Sequence, residues 1–155
     1  MDTNPEITRH YRGLEWMYNE SAAINSLTKH RVAISDTRAT VTWQVNPHFF
    51  HAAGSLHGSM YFKMLDDAAF FAANSIEREV FVLTATMNIQ LFRPVTGGSL
   101  TATGWITVPG KTLIHAQSEL RDDRDKLVAA GQGTFSRSNV PLMSLEGYRM
   151  GFELR

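Results

Sequence analysis

Cysteine is absent from this chain of 155 residues. Without a thiol, the chain can form no disulfide bond, no thiolate nucleophile and no zinc or iron-sulfur site built on cysteine. Such a composition is compatible with a reducing compartment, and we expect a cytoplasmic protein.

Charge of one sign and long apolar runs are lacking as well. Fifteen Lys and Arg residues balance fifteen Asp and Glu residues, so no overall field would attract nucleic acid or an anionic membrane. No run of about 18 apolar residues occurs, and no basic N-terminal stretch precedes an apolar segment. We therefore expect no nucleic-acid partner, no membrane insertion and no export.

The hydrophobic content, 43%, suffices for the core of one domain spanning residues 1–155. Asn4-Pro5-Glu6 predicts the start of an N-terminal helix over about residues 5–20. Its apolar face repeats at spacings of three and four and comprises Ile7, Tyr11, Leu14 and Tyr18. Residues 141–155 show no clear period and stay unassigned.

A second helix is predicted over residues 56–73, where apolar side chains occur on nearly every side. Such a helix belongs in the interior. Six segments have the pattern of strands: 32–34, 39–45, 83–91, 100–108, 112–120 and 127–136. This order predicts an α+β architecture, an antiparallel sheet wrapped around a long central helix, with a core over about 32–136. The order resembles that of the hotdog fold.

Two adjacent carboxylates lie on the predicted central helix. A buried carboxylate is costly unless it is paired, so each needs a reason to be there. Lys63 precedes Asp67 by four residues, and the pair can form an ordinary ion pair on one helix face. Asp66 has no such partner, because Phe62 and Phe70 occupy the equivalent positions. We therefore expect Asp66 to be the catalytic acid.

Three histidines, His48, His51 and His57, precede the helix, and Gly58 stands at its start. Free N–H groups and the positive end of the helix dipole lie there, so the Gly58 N–H could polarise a thioester oxygen. Alternatively, His57 and Ser59 only cap the helix. The spacing of the histidines matches no zinc signature, so we expect no metal.

Nine residues separate His57 from Asp66, or about 13 Å along a helix axis. The two ends cannot act on one bond within one subunit. If two copies pair about a twofold axis with antiparallel helices, the helix start of one lies near Asp66 of the other. We therefore expect a homo-oligomer, a dimer or a dimer of dimers.

Five short motifs in order resemble the PaaI-like branch of hotdog thioesterases, from about Val32 to Ser136. They are His57-Gly58-Ser59, Leu65-Asp66-x-Ala68, Asn88-Ile89-x-x-x-Arg93-Pro94, Gly110-Lys111-Thr112-Leu113 and Ala130-x-Gly-x-Gly-Thr-Phe135. The stretch Asp66 to Ser75 looks most like the members of the phenylacetate pathway.

The resemblance implies hydrolysis of acyl-CoA thioesters without a cofactor, coenzyme A being part of the substrate. It implies that Asp66 acts as general base or nucleophile and that the Gly58 N–H binds the thioester oxygen. His57 would hold the thioester region. Thr84 would position water, although strand alternation places it on the polar face.

Two positions depart from the family pattern. Ser59 replaces a second glycine, which changes how closely the helix start can approach a ligand. His51 stands where the family has an Asn or Gln that donates to the thioester oxygen. Imidazole can also donate but titrates near neutral pH, so we expect pH-sensitive or weak activity.

Further residues are candidates for substrate binding: Ser59, Asp67, Phe70, Arg93 and Arg137. The two arginines could meet the phosphates of coenzyme A, and surface salt bridges are the alternative for both. Phe70 could line an acyl pocket with Phe49, Phe50 and Tyr61, or all four could be core residues. The acyl group, and whether the carrier is CoA or an acyl-carrier protein, stay open.

Two other functions fit the same pattern. A hotdog module could bind acyl-CoA without hydrolysing it, because one fold hosts many functions. A hotdog hydratase or dehydratase would also use a histidine and an acid, but on the acyl chain.

Overall fold

The computed structural model describes residues 4–154 of the chain. Helix α1, Pro5–Trp16, begins as predicted, because the Asn4 side chain accepts a hydrogen bond from the Glu6 N–H at 3.0 Å. The helix continues as a π-helical turn over Met17–Ser21, and a short helix α2 follows over Ala23–Thr28. The sequence pattern predicted neither the π turn nor α2.

Six strands form one antiparallel sheet in the order β1-β2-β4-β5-β6-β3. In chain order, β1 to β6 are Arg31–Ser35, Arg38–Gln44, Val80–Leu91, Ser99–Pro109, Leu113–Asp122 and Leu127–Pro141. The predicted first hairpin and the predicted β4-β5-β6 meander are both present. The hairpin turn places Thr37 at a φ of 59°, in the left-handed region.

Helix α3, Gly58–Ile76, is the central element, and most of its length is buried. It packs so closely on β4 that a Cβ on Gly104 would clash with the backbone carbonyl of Ala68. Met64, Leu65 and Ala68 have no exposed surface. The predicted fold, an antiparallel sheet wrapped around one long helix, is confirmed.

The C-terminal residues, which the sequence left unassigned, form a 3-10 turn over Leu142–Ser144 and helix α4, Glu146–Glu153. Helices α1 and α4 pack so closely that a side chain larger than glycine at Gly13 or Gly151 would clash across the contact. Buried His10 links both helices to the end of α3, with its ring nitrogens 2.7 Å from the Tyr148 hydroxyl and 2.8 Å from the Asn74 carbonyl.

Strand β3 is an edge of the sheet and pairs only with β6 within the part of the chain described. Its register shifts between Thr84 and Thr86, so alternation does not continue through Ala85. The strand alternation that placed Thr84 on the polar face is therefore wrong at this end of β3: its neighbour Leu83 is half exposed, and Val82 is fully buried. Thr84 instead faces α3.

Candidate active site

Asp66 lies partly buried on α3, where the Thr84 hydroxyl donates a hydrogen bond to Asp66 Oδ1 at 2.8 Å. The pKa of Asp66 is raised to about 6, because burial and the charge of Asp67 raise it by more than the hydrogen bond from Thr84 and the charge of Lys63 lower it. A carboxylate with this pKa is largely ionised at neutral pH, but remains basic enough to accept a proton.

Asp67 has a different environment, although it is the next residue. Lys63 Nζ lies 2.7 Å from Asp67 Oδ2, and the Tyr18 hydroxyl donates to the same oxygen at 2.5 Å. Burial raises the pKa of Asp67, while the Lys63 charge and both hydrogen bonds oppose that effect. The predicted ion pair is present, so the Asp67 carboxylate is bonded to partners within the protein.

A cavity of about 820 Å³ opens beside Asp66. Asp66, Thr84 and Phe70 contribute to its wall, together with Phe81 and Leu83 from β3. Its volume is near the upper end of the range for small-molecule sites, about 300–1,000 Å³. The carboxylate therefore borders a space large enough for an organic substrate.

Gly58 is the first residue of α3, and His57 is its N-cap. His57 Nδ1 accepts a hydrogen bond from the Ser59 N–H at 3.1 Å and lies 2.7 Å from the Ser59 hydroxyl. The predicted capping role of His57 and Ser59 is thus confirmed. The Gly58 N–H, unlike those of Ser59 and Met60, has no acceptor among residues 4–154.

Glycine at position 58 is not required by the chain's own packing. A Cβ there would meet only Leu91 Cδ1, at an ordinary 3.4 Å, and the residue does not have positive φ. The absence of a side chain leaves room for a ligand or another chain to approach the N–H.

His51 borders the same end of the helix. A second cavity, of about 320 Å³, is lined by His51, Gly58, Tyr61 and Arg93, among others. The His51 Nδ1 accepts a hydrogen bond from the Ala53 N–H at 3.1 Å. An imidazole that accepts through Nδ1 carries its proton on Nε2, so neutral His51 has a free donor.

The two groups of residues do not meet within one chain. Gly58 and Asp66 belong to different cavities and are separated by eight residues of continuous helix, about 12 Å along its axis. The Asp66 carboxylate and the Gly58 N–H of one chain are therefore too far apart to act on the same bond of a substrate.

The remaining predicted site residues lie elsewhere. Arg137 Nε is 2.6 Å from Glu77 Oε2, and its Nη1 donates to the carbonyls of Gly110 and Lys111, so the salt-bridge alternative applies. Phe49 packs edge-on against Trp43. Among residues 4–154, no group of three or more His, Asp or Glu side chains is arranged to hold a metal ion.

Some residues at the site were not identified from the sequence. Tyr18 was predicted only as part of the apolar face of the N-terminal helix, but its hydroxyl donates to Asp67 and its side chain lines the large cavity. Phe81 packs against Phe70 with ring centroids 5.2 Å apart. Its position in an apolar run before the β3 alternation was the only available signal.

The structural comparisons agree with the described fold. The PaaI protein of Escherichia coli, from the phenylacetic acid degradation operon, superposes with a TM-score of 0.79 and 24% identity, covering 88% of this chain and 98% of that one. A conserved Pseudomonas aeruginosa protein gives 0.71 and 26% over 76% and 94%. Thioesterase HI1161 of Haemophilus influenzae gives 0.71 and 22% over 77% and 85%.

Fold and site together define a hotdog-fold protein with an acid on its central helix. The family model of the thioesterase superfamily matches residues 53–129, which include α3 and both halves of the site. The chain is thus similar to the thioesterase superfamily over 77 of its 155 residues, and thioester hydrolysis is the reaction class that this similarity supports. No curated protein sequence matches the chain significantly. Within residues 4–154, no helix is both long and apolar enough to cross a membrane.

Proposed function

We propose that the protein hydrolyses acyl-CoA thioesters, with Asp66 as the catalytic carboxylate. The observation that carries this proposal is the Asp66–Thr84 pair at the wall of the large cavity. Unlike Asp67, this carboxylate has no cation bonded to it among the described residues, and its pKa is raised to about 6. It is therefore available to a substrate.

In the general-base route, Asp66 takes a proton from water as the water oxygen attacks the thioester carbonyl. The carbonyl π electrons move onto oxygen, where the Gly58 N–H stabilises the developing charge. Collapse of the intermediate breaks the C–S bond, and the CoA thiolate leaves and takes up a proton. In the nucleophilic route, Asp66 attacks the carbonyl directly and the C–S bond breaks, so that the CoA thiolate leaves and takes up a proton; water then hydrolyses the resulting anhydride to the free acid and restores Asp66. The products are the same.

This chemistry needs a second copy of the chain, because Asp66 and Gly58 are too far apart within one. Strand β3 supports a twofold pairing, since it is a long edge strand with exposed apolar side chains. Leu83, Leu91 and Phe92 are each about half exposed, at 49–50%. In the proposed dimer, the helix start of one subunit lies beside Asp66 of the other, and dimers could pair further into tetramers.

We infer that coenzyme A enters along the cavity of the helix start. Arg93, exposed at that cavity, is the candidate contact for a phosphate, whereas Arg137 is held by Glu77. Neutral His51 can donate from Nε2 to the thioester oxygen, as an amide would. The lack of cysteine agrees with work in the reducing cytoplasm.

The proposal is tested by measuring release of free thiol from a panel of acyl-CoA and acyl-carrier-protein substrates. Only thioester cleavage liberates the thiol, so a hydratase or dehydratase would leave it bound. Asp66→Asn should abolish turnover while it leaves acyl-CoA affinity nearly unchanged. A wild-type protein that binds acyl-CoA and releases no thiol would instead be a binding module.

A further inference from the structure

The walls of the large cavity are mostly apolar. Phe70 and Phe71 of α3 and Phe81 and Leu83 of β3 contribute to them. The polar groups of Tyr18 and Lys63, which also line the cavity, are engaged with Asp67. Ser21, Asn25 and Glu146 also line the cavity, but apolar side chains form most of its wall, so a hydrocarbon group bound there would cover mainly apolar surface.

Other parts of the cavity wall come from two segments near the ends of the chain, about residues 17–25 and 140–147. Met17 comes from the π turn, Ala22 follows it, and Ile24 belongs to α2; Val140 lies at the end of β6, and Leu145 comes from the segment after it. The two segments are in such close contact that a Cβ on Gly147 would clash with the Ser21 side chain. Tyr18 anchors the N-terminal one by packing edge-on against Phe71, at 5.1 Å between centroids.

The size of the cavity limits which acyl group would fill it. A dry cavity of about 150 Å³ is enough for a benzene ring. The cavity beside Asp66 measures about 820 Å³, more than five times that volume. A short acyl group or a single ring would leave most of its apolar wall uncovered.

We propose that the acyl group is a long aliphatic chain, which runs from the thioester at Asp66 into this cavity and ends against residues 17–25 and 140–147. This inference rests on the proposed function for the identity of the bond that is cleaved. The terminal segments, rather than the residues around Gly58, then determine the length of chain accepted.

The test compares straight-chain acyl-CoAs from acetyl to tetradecanoyl, with phenylacetyl-CoA as the single-ring probe. Two quantities are measured for each: kcat/KM of the wild-type protein and the dissociation constant of Asp66→Asn. Each buried methylene contributes about 0.8 kcal/mol, so both should improve about fourfold per methylene until the cavity is filled. Phenylacetyl-CoA should rank with the short chains.

Ala22→Trp places a large ring at the cavity wall, and Ala23→Trp is its matched control, because Ala23 is exposed and does not line the cavity. Ala22→Trp should lower kcat/KM for tetradecanoyl-CoA at least tenfold and leave acetyl-CoA unchanged. Ala23→Trp should change neither. If Ala22→Trp fails to fold, Val140→Trp, at a partly exposed wall position, is the second variant.

The outcomes separate the inference from the proposed function. Turnover with no dependence on chain length, or with phenylacetyl-CoA preferred, overturns the inference and leaves thioester hydrolysis standing. Affinity that increases with chain length without release of thiol overturns the function and supports the subsite. Equal losses for short and long chains in Ala22→Trp also overturn the inference.

Discussion

The Thr84 hydroxyl donates to Asp66 Oδ1 at 2.8 Å across the gap between β3 and α3. This bond stabilises the ionised carboxylate and opposes the effect of burial on its pKa. The hydroxyl oxygen keeps lone pairs that can accept from a water molecule. The pair thus joins a proton acceptor to a group that can hold the attacking water.

Thr84→Val should shift the acid limb of the pH–rate profile upward. In the wild-type protein, activity should fall as the pH drops through about 6, because only ionised Asp66 is a base or nucleophile. Removing the hydrogen bond raises the pKa of Asp66, so the limb should move above 6. Thr86→Val is the matched control, since Thr86 bonds Thr134 instead. If the acid limb of the pH–rate profile does not move in Thr84→Val, a group other than Asp66 causes it.

Asp66→Asn should abolish turnover and stabilise the fold. Because the pKa of Asp66 is raised from 3.8 to about 6, the native state holds its proton more tightly than the unfolded state, so the free energy of unfolding falls as the pH rises from 3.8 to about 6. At pH 7 the substitution should therefore add on the order of 2 kcal/mol to the free energy of unfolding. The gain should vanish near pH 4, where Asp66 is protonated in the native protein. Urea unfolding at both pH values measures this difference.

Asp67→Asn should have the opposite effect on stability, although it changes the neighbouring residue. It would leave the Lys63 ammonium, only 12% exposed, without its counter-ion. Loss of one partner of a buried pair costs about 3 kcal/mol or more. Urea unfolding at pH 7 should show this loss, and an Asp67→Asn variant as stable as the wild type would mean that the pair contributes little.

The position of Gly58 allows removal of one hydrogen-bond donor alone. Proline is favoured at the first position of a helix, and His57 already has the extended backbone, φ −64° and ψ 140°, that precedes proline well. Gly58→Pro should thus keep the helix start but lower kcat by about 10²–10³. Gly58→Ala adds the same Cβ and keeps the N–H, so it should retain more activity. Similar kcat values for the two variants would remove the Gly58 N–H from the mechanism.

Much of this arrangement was predictable from local pattern. The apolar helix, the isolated acid Asp66 and the Lys63–Asp67 spacing indicated the central element and separated the two carboxylates. The face of Thr84 was not predictable, because a bulge at Ala85 reverses the alternation and leaves no mark in composition. The resemblance had assigned Thr84 its role, whereas alternation had placed it with the polar residues.

The terminal segments were harder to predict because their packing depends on residues far apart in the chain. Glycine within a helix is destabilising, yet Gly13 is what lets Tyr148 of α4 approach α1. The π turn at Met17–Ser21 also breaks the helical period that the sequence pattern assumed. Half of the large cavity wall comes from these segments, so its size could not be anticipated.

Thr37 offers a test of the fold apart from the site. A β-branched residue at a φ of 59° is strained, and glycine adopts this conformation freely. Thr37→Gly should therefore stabilise the protein by about 1 kcal/mol, the left-handed cost less the added flexibility of the unfolded chain. Thermal unfolding should show a higher Tm, with unchanged activity. A lower Tm would show that the turn is not strained.

The central claim is that one active site combines Asp66 of one subunit with Gly58 of the other. Asp66→Asn and Gly58→Pro are each expected to be inactive, and their subunits can be mixed by co-expression with different tags. Equal mixing makes half of the dimers heterodimers, each with one intact site, so activity should return to about a quarter of the wild-type value. If the purified mixture stays as inactive as the two parents, the site is not shared and the account is wrong.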